Sequence, residues 1–330
     1  MSIIELRNLS KTYVRDFIGV EYGRLRINIR NRKVRALHNL SLDVEKGEIF
    51  GLLGPNGAGK TTTIKILMGI HFPTAGTASI MGKPLGDRAV KSKIGFLPEN
   101  PYFYDYLTGR EFLNFYGQLY GMPWRQRSRK IGELLELVGL SHAANLPLKG
   151  YSKGMNQRIG LAQALLNDPE LVFLDEPQSG LDPLGRKEVR DIILRLREQG
   201  KTVFFSSHIL SDAEMICDRV AILVKSELKR VGHLSELLSE RVKAVEVAVS
   251  GVPDDAMAAF REKAIRVIDG AQGTVLELED EDLARQLVAR TLDCGGRLIS
   301  FTPRRETLEE YFISQVSSGA ARDASKGAAA

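Results

Sequence analysis

The run Gly54-Pro55-Asn56-Gly57-Ala58-Gly59-Lys60-Thr61 constrains this chain more than any other feature of the sequence. It follows the apolar stretch Ile49–Leu53 and precedes the helix-forming stretch Thr61–Met68, so it occupies a strand-to-helix turn. Glycines at such a turn let backbone N–H groups point inward around anionic oxygens. The helix that follows directs its unsatisfied N-terminal amides and the positive end of its dipole at the same point. Lys60 adds a full positive charge that can reach the β- and γ-phosphates of a nucleotide, and the Thr61 hydroxyl is suited to ligate Mg²⁺.

A cradle of this kind belongs to a strand–loop–helix unit, and residues 1–235 continue in that manner. Short apolar strands are predicted at Ile3–Leu6, Ile49–Leu53, Ile94–Leu97, Leu171–Leu174, Val203–Ser206 and Val220–Leu223. Helical periodicity follows several of them, as over Gly185–Gln199, which is the pattern of an α/β domain with a largely parallel sheet. The character changes near Leu234–Arg241. Beyond it, within 240–315, comes a strand at Ala244–Val249, a helix at Asp254–Lys263 and two strands at Ile265–Ile268 and Thr274–Leu278. A helix at Asp282–Thr291, a strand at Arg297–Phe301 and a last helix at Glu306–Ser314 complete the segment. This βαββαβ order predicts a small ferredoxin-like α+β domain. Residues 316–330, rich in Ala, Ser and Gly, are expected to be a disordered tail.

Composition excludes several classes. No apolar run approaches the roughly 20 residues that cross a bilayer. The opening Met-Ser-Ile-Ile-Glu-Leu has neither a basic leader nor an apolar signal core, so a cytoplasmic location is expected, peripheral to a membrane if a partner holds the chain there. Cys217 and Cys294 lack metal-ligand spacing and read as packing residues in a reducing compartment. The formal net charge of +5 is concentrated between Arg15 and Arg35, where Arg15, Arg24, Arg26, Arg30, Arg32, Lys33 and Arg35 face only Asp16 and Glu21. A nucleic-acid surface would spread its basic charge more widely, and no nucleic-acid partner is expected.

Further motifs follow the cradle in order. Tyr151-Ser152-Lys153-Gly154-Met155 precedes Asn156-Gln157-Arg158. Leu171-Val172-Phe173-Leu174-Asp175-Glu176-Pro177 is an apolar strand ending in paired carboxylates. There, Asp175 is a rigid ligand for Mg²⁺ through water, and Glu176 can orient or deprotonate an attacking water. Ser179-Gly180-Leu181-Asp182-Pro183 follows, and Ser206-Ser207-His208 ends a later strand. In identity, order and spacing these motifs resemble the ABC ATPase family over about residues 2–235.

The resemblance implies a P-loop NTPase fold of ABC type, with Gly54, Pro55, Asn56, Gly57, Ala58, Gly59, Lys60, Thr61 and Thr62 holding ATP and Lys60, Glu176 and His208 in catalysis. It implies Mg²⁺ at Thr61, Asp175 and the position of Glu99, and adenine stacking on Tyr13. The signature residues Ser152, Lys153, Gly154 and Met155 would close over ATP held by a second copy or a homologous ATPase, with Asp182 in the D-loop. Two departures stand out. Lys153 replaces a glycine of the family signature and Met155 a glutamine, so Lys153 either adds a cation near the phosphate or points to solvent. In Leu97-Pro98-Glu99-Asn100 a glutamate takes the place of the usual glutamine, as a metal or water ligand or as a solvated loop residue. About twenty residues are also inserted after Tyr13, and Arg24 to Arg30 alternates as a strand with one basic face. That strand either meets the anionic membrane surface or a permease, or it is a solvated hairpin without a partner.

The Leu-Pro-Glu variant, the Ser-Gly-Leu-Asp-Pro stretch and the added C-terminal domain ending Leu308-Glu309-Glu310-Tyr311-Phe312 resemble ATPases paired with ABC-2-type permeases, mostly exporters. Chromosome-associated members need long coiled coils, which residues 61–150 cannot supply. A GTPase or small-molecule kinase would lack the signature and the histidine at 208. The expected function is therefore ATP hydrolysis that energises a separate membrane-spanning permease, with the substrate set by that permease.

Overall fold

The computed structural model describes residues 2–21, 24–238, 242–270, 273–305 and 307–310, with side chains described outside residues 15–32, 242–243 and 305. Contacts divide the chain into two units, Met1–Leu234 and Ser235–Ala330.

The first unit opens with β1 (Ser2–Glu21) and β2 (Arg24–Glu45), then β3 (Ile49–Leu53), α1 (Lys60–Leu67), β4 (Ala75–Ile80) and β5 (Lys83–Pro84). Next come α2 (Arg88–Lys91), β6 (Ile94–Leu97), α3 (Gly109–Leu119), α4 (Trp124–Leu137), α5 (Lys153–Ala164) and β7 (Leu171–Asp175). It ends with α6 (Pro183–Glu198), β8 (Thr202–Ser207), α7 (Leu210–Glu214), β9 (Arg219–Val224) and β10 (Glu227–His233). The strands form one sheet in the order β5-β4-β1-β2-β10-β9-β3-β8-β7-β6.

β9, β3, β8, β7 and β6 pair in parallel. Every residue of β3, β7 and β8 is buried, which is why these strands read as continuous apolar runs and not as alternating ones. Phe50 stacks on Phe204, and Phe204 packs against Phe173, each pair with ring centroids 5.5 Å apart. These three rings tie β3, β8 and β7 together beneath the ends that carry the polar motifs.

β1 and β2 pair antiparallel from Ser2↔Glu45 to Glu21↔Arg24. The inserted residues prolong both strands into one long hairpin. The strand expected at Arg24 to Arg30 is the outer part of β2, whose pairing with β1 extends past the core through several register shifts. Whether one face of that hairpin is basic lies outside the described side chains.

In the second unit, α8 (Leu234–Leu237) leads into β11 (Val242–Ser250), α9 (Asp254–Lys263), β12 (Arg266–Gly270), β13 (Gly273–Leu278), α10 (Glu281–Asp293) and β14 (Arg297–Arg305). Its sheet is antiparallel in the order β12-β13-β11-β14, the ferredoxin-like arrangement. Val245, Val247 and Val249 of β11 alternate inward, where they meet Leu276, Leu278, Met257, Ala284 and Leu287. The expected helix at Glu306–Ser314 and the tail at 316–330 lie largely outside the described residues.

Candidate functional site

The strand order β3-β8-β7 puts three C-terminal strand ends side by side, the place where parallel α/β sheets present their ligand-binding loops. From β3 comes the turn Gly54–Gly59, from β7 the pair Asp175–Glu176, and from β8 the sequence Ser206–His208.

The turn is built tightly around its backbone. Gly59, at φ 107°, precedes α1 in a left-handed conformation, and a β-carbon there would collide with the carbonyl oxygen of Ala36 and the side chain of Leu37. A larger residue would have to displace β2. The loop instead encloses the Lys60 side chain, which donates to the carbonyl oxygens of Gly54 at 2.7 Å and Pro55 at 3.2 Å.

Lys60 Nζ lies 3.1 Å from Glu176 Oε1, with the two side chains only 5% and 7% exposed. The other Glu176 oxygen, Oε2, is 2.7 Å from His208 Nδ1. One carboxylate thus bridges a lysine at the start of α1 and a histidine just beyond β8. Glu176 has φ +49°, unusual for a residue with a side chain, and this turns its carboxylate toward the cradle just as β7 ends.

Asp175 is 1% exposed. Its Oδ1 accepts from Ser206 Oγ at 2.6 Å and from Thr61 Oγ1 at 3.1 Å. Burial pushes its carboxyl above the ordinary range, and the two hydroxyl hydrogen bonds pull it partly back. Ser206 Oγ also accepts the Glu176 N–H at 3.0 Å, so one hydroxyl orders both carboxylates. Sequence reasoning missed Ser206; the signal available was a polar pair closing an otherwise apolar strand two residues before His208.

A cavity of about 340 Å³ opens here, lined by Asn56, Gly57, Lys60, Thr61, Glu99 and Glu176 among others. Glu99 is exposed at its wall. Val34 also lines it and is the cross-strand partner of Tyr13. The Tyr13 ring meets His71 edge-on at 5.7 Å, and the Lys11 ammonium sits 5.0 Å from its centroid.

The signature residues do not line this cavity. Ser152 caps α5, accepting the Met155 N–H at 3.2 Å, and Asp182 caps α6, accepting the Gly185 N–H at 2.8 Å. Lys153 is exposed, yet its ammonium lies where a β-carbon of Gly180 would be, and Gly180 is left-handed at φ +67°. It therefore packs against the loop that follows Glu176 instead of extending freely into solvent.

A parallel sheet, a phosphate cradle and a lysine–carboxylate–histidine contact at adjacent strand ends define a P-loop ATPase. A profile described as ABC transporter matches residues 37–179. An uncharacterized ABC transporter ATP-binding protein of Synechocystis sp. is 49% identical over 288 residues, covering 87% of this chain and 80% of that one. The bacitracin transport ATP-binding protein BcrA of Bacillus licheniformis is 35% identical over 301 residues, 86% of this chain and 94% of its own. Among solved structures, a dimeric ATP-binding cassette in a post-hydrolysis state bound to ADP and Pi superposes with a TM-score of 0.60 at 27% identity, over 70% of this chain and 98% of that one. The chain belongs to the ABC transporter ATP-binding proteins: it binds ATP, and its hydrolysis is coupled to transport.

Proposed function

We propose that this chain powers export through a separate ABC-2-type permease, acting at the cytoplasmic face of the membrane in an ATP-driven head-to-tail dimer. The observation that carries the hydrolytic part of this reading is the Lys60–Glu176–His208 contact, a cation, a carboxylate and an imidazole gathered at one phosphate cradle.

In this reading Gly54 to Thr62 hold the phosphates of ATP, and the incoming γ-phosphate competes with Glu176 for the Lys60 ammonium. Glu176, freed from Lys60, accepts a proton from the attacking water, while His208 keeps that carboxylate in register with the phosphate. Thr61, Asp175 and Glu99 offer the hard oxygen ligands that Mg²⁺ takes, and a carboxylate as buried as Asp175 gains from a nearby cation. The ion supplies charge neutralisation to the phosphates when bound. Tyr13, beside the Val34 wall, stacks adenine. Ser152, Lys153, Gly154 and Met155 face the ATP of the partner subunit, beside the D-loop that carries Asp182.

A permease partner is supported by exposed aromatics. Tyr102 is 94% exposed, and Tyr104, Tyr106 and Phe115 are exposed near it in sequence or ring contact. Such a patch fits a buried protein interface better than open water. The basic insertion at residues 15–35 is read as a second contact, with the anionic membrane surface. Residues 240–315 are read as an accessory domain. Export and the ABC-2 class follow the resemblance of the motifs and the bacitracin transport relative.

The test is Glu176→Gln. It should bind ATP, hydrolyse it at least about 100-fold more slowly, and elute as a dimer with ATP and Mg²⁺. A monomer with wild-type turnover would remove Glu176 from the mechanism.

A further inference from the structure

Behind the catalytic pair lies a second polar cluster, in which Asp212 and Gln178 are buried and Arg186 and Arg190 half-buried. Asp212 sits on α7, four residues after His208, with its side chain 8% exposed. Two guanidinium groups from successive turns of α6 approach it: Arg186 Nη1 is 3.8 Å from Oδ2, and Arg190 Nη1 is 3.6 Å from Oδ1. Arg190 Nη1 is also 3.0 Å from Met215 Sδ, just beyond α7. On the other side, Gln178 stands two residues after Glu176 and is 2% exposed. Its Nε2 donates to the carbonyl oxygen of Arg186 at 3.4 Å.

These contacts close a ring. From Glu176 the chain runs to Gln178, from Gln178 to α6 at Arg186, and from Arg186 and Arg190 across to Asp212. Asp212 lies on the helix that His208 leads into, and His208 returns to Glu176 at 2.7 Å. The two catalytic side chains are thus linked twice, once directly and once through α6.

The second link is slack. Charge-assisted hydrogen bonds settle near 2.7–2.9 Å, and the contacts of Asp212 with its arginines are longer by nearly an ångström. Gln178 Oε1, Arg186 Nε and Asp212 Oδ2 are all buried without a hydrogen-bond partner. Buried polar groups in that state carry a desolvation penalty, and a movement of about 1 Å would bring the Arg186 guanidinium into hydrogen-bonding distance of Asp212. The cluster therefore has an unrealised, tighter arrangement that α6 and α7 can reach by a small shift.

We propose that Gln178, Arg186, Arg190 and Asp212 form a latch that closes when the ATP site becomes competent, and that Asp212 is a positioning residue fixing His208 against Glu176. It touches neither nucleotide nor the attacking water. The inference rests on the roles given above to Glu176 and His208. Loss of the latch lets the His208 loop drift relative to Glu176, which lowers the rate of the chemical step and leaves ATP binding unchanged.

The experiment compares the full chain with Asp212→Asn, Asp212→Glu, Arg190→Gln and the double variant Asp212→Asn/Arg190→Gln, measuring kcat, KM for ATP and thermal midpoint. Asp212→Asn should lower kcat on the order of tenfold to a hundredfold, the range for a small misplacement of catalytic groups, with KM within about twofold. Asp212→Glu, which keeps the carboxylate, should stay within about threefold of wild type, and the double variant should be no slower than the slower single variant. Unchanged kcat in Asp212→Asn, a rise in KM that matches the fall in kcat, or multiplicative losses in the double variant would each overturn the proposal. If Asp212→Asn does not fold, Arg190→Gln, whose side chain is 20% exposed, is judged by the same kcat and KM criteria. Glu176→Gln runs alongside. If it stops turnover and Asp212→Asn does not slow it, the latch fails and the catalytic reading stands; if Glu176→Gln turns over normally, the catalytic reading itself fails.

Discussion

Removing the Lys60 ammonium should destabilise the nucleotide-free protein as well as inactivate it. In Lys60→Met the carboxylate of Glu176 keeps its contact with His208, at 2.7 Å, but no lysine or arginine contact among the described residues remains, while its own side chain stays 7% exposed. Breaking a buried pair by deleting one member costs about 3–5 kcal/mol, because the other charge stays behind unpaired. The half-exposed His208 side chain, at 39%, softens that, so the lower end applies, about 3 kcal/mol. For a unit of this size 1 kcal/mol moves the melting midpoint by about 2–4 °C, which puts the expected loss near 6–12 °C. Glu176→Gln should cost less, since the Lys60 ammonium keeps the carbonyl oxygens of Gly54 and Pro55. The double variant Lys60→Met/Glu176→Gln, with neither charge left, should recover most of the loss, giving a coupling of about 2 kcal/mol. The assay is thermal unfolding without nucleotide, repeated with excess ATP and Mg²⁺. Wild type should then gain about 2.7 kcal/mol at a ligand concentration 100 times Kd, and Lys60→Met should gain nothing. A Lys60→Met midpoint equal to wild type, or additive losses in the double variant, would refute the argument that this pair is held at a cost.

Asp175→Asn should abolish ATPase activity and yet raise the nucleotide-free midpoint at pH 7–8. Burial raises the Asp175 carboxyl in the fold, so its favourable contribution is full below the ordinary carboxylate value of about 4 and is lost as pH rises through the raised one. The advantage of the uncharged variant should shrink toward pH 4, and a lower midpoint at neutral pH would contradict this. Glu99→Gln, which keeps an oxygen ligand on the cavity wall, should hold Mg²⁺-dependent ATPase activity within about tenfold, whereas Glu99→Ala should lose more. Equal activity in Glu99→Ala and wild type would leave Glu99 a plain loop residue. Replacing Arg24, Arg26, Arg30 and Arg32 by Ser should weaken flotation with anionic liposomes at low salt and spare hydrolysis, each charge being worth about 1 kcal/mol near such a surface. Equal binding at every salt concentration would exclude membrane contact.

The parallel core was legible because its strands are buried on both faces. Ile49–Leu53 and Ile94–Leu97 coincide with β3 and β6, and Leu171–Leu174 falls one residue short of β7. The helix Asp254–Lys263 was legible for a different reason: its acidic first turn and basic last turn match the dipole, and Pro253 precedes it. Helices α3 and α4 carry no chemical motif, and the sequence signal for α3 is the capping box that Thr108 and Glu111 form where it begins. The alternation of Arg24 to Arg30 anticipates a strand there, but not that it runs on past Ala36 as one β2, a continuity that depends on pairing with β1.

Within the site, residue types were legible and contacts were not. The spacing of motifs identifies Lys60, Asp175, Glu176 and His208, but nothing in it says that Ser206 serves both carboxylates or that Asp212 lies behind the histidine. Those relations depend on strand order, which brings β8 between β3 and β7. Lys153 illustrates the limit best. In sequence it is a cation at the first position of a helix, where the dipole disfavours it and solvent is the simplest destination. In the fold its ammonium rests on Gly180, at a place open only because that residue has no β-carbon. The two residues depend on each other: a side chain at 180 would expel Lys153, and a glycine at 153 would leave the loop after Glu176 uncovered. The departure from the family signature at 153 is therefore best understood together with Gly180, as a contact joining the start of α5 to the loop that follows Glu176.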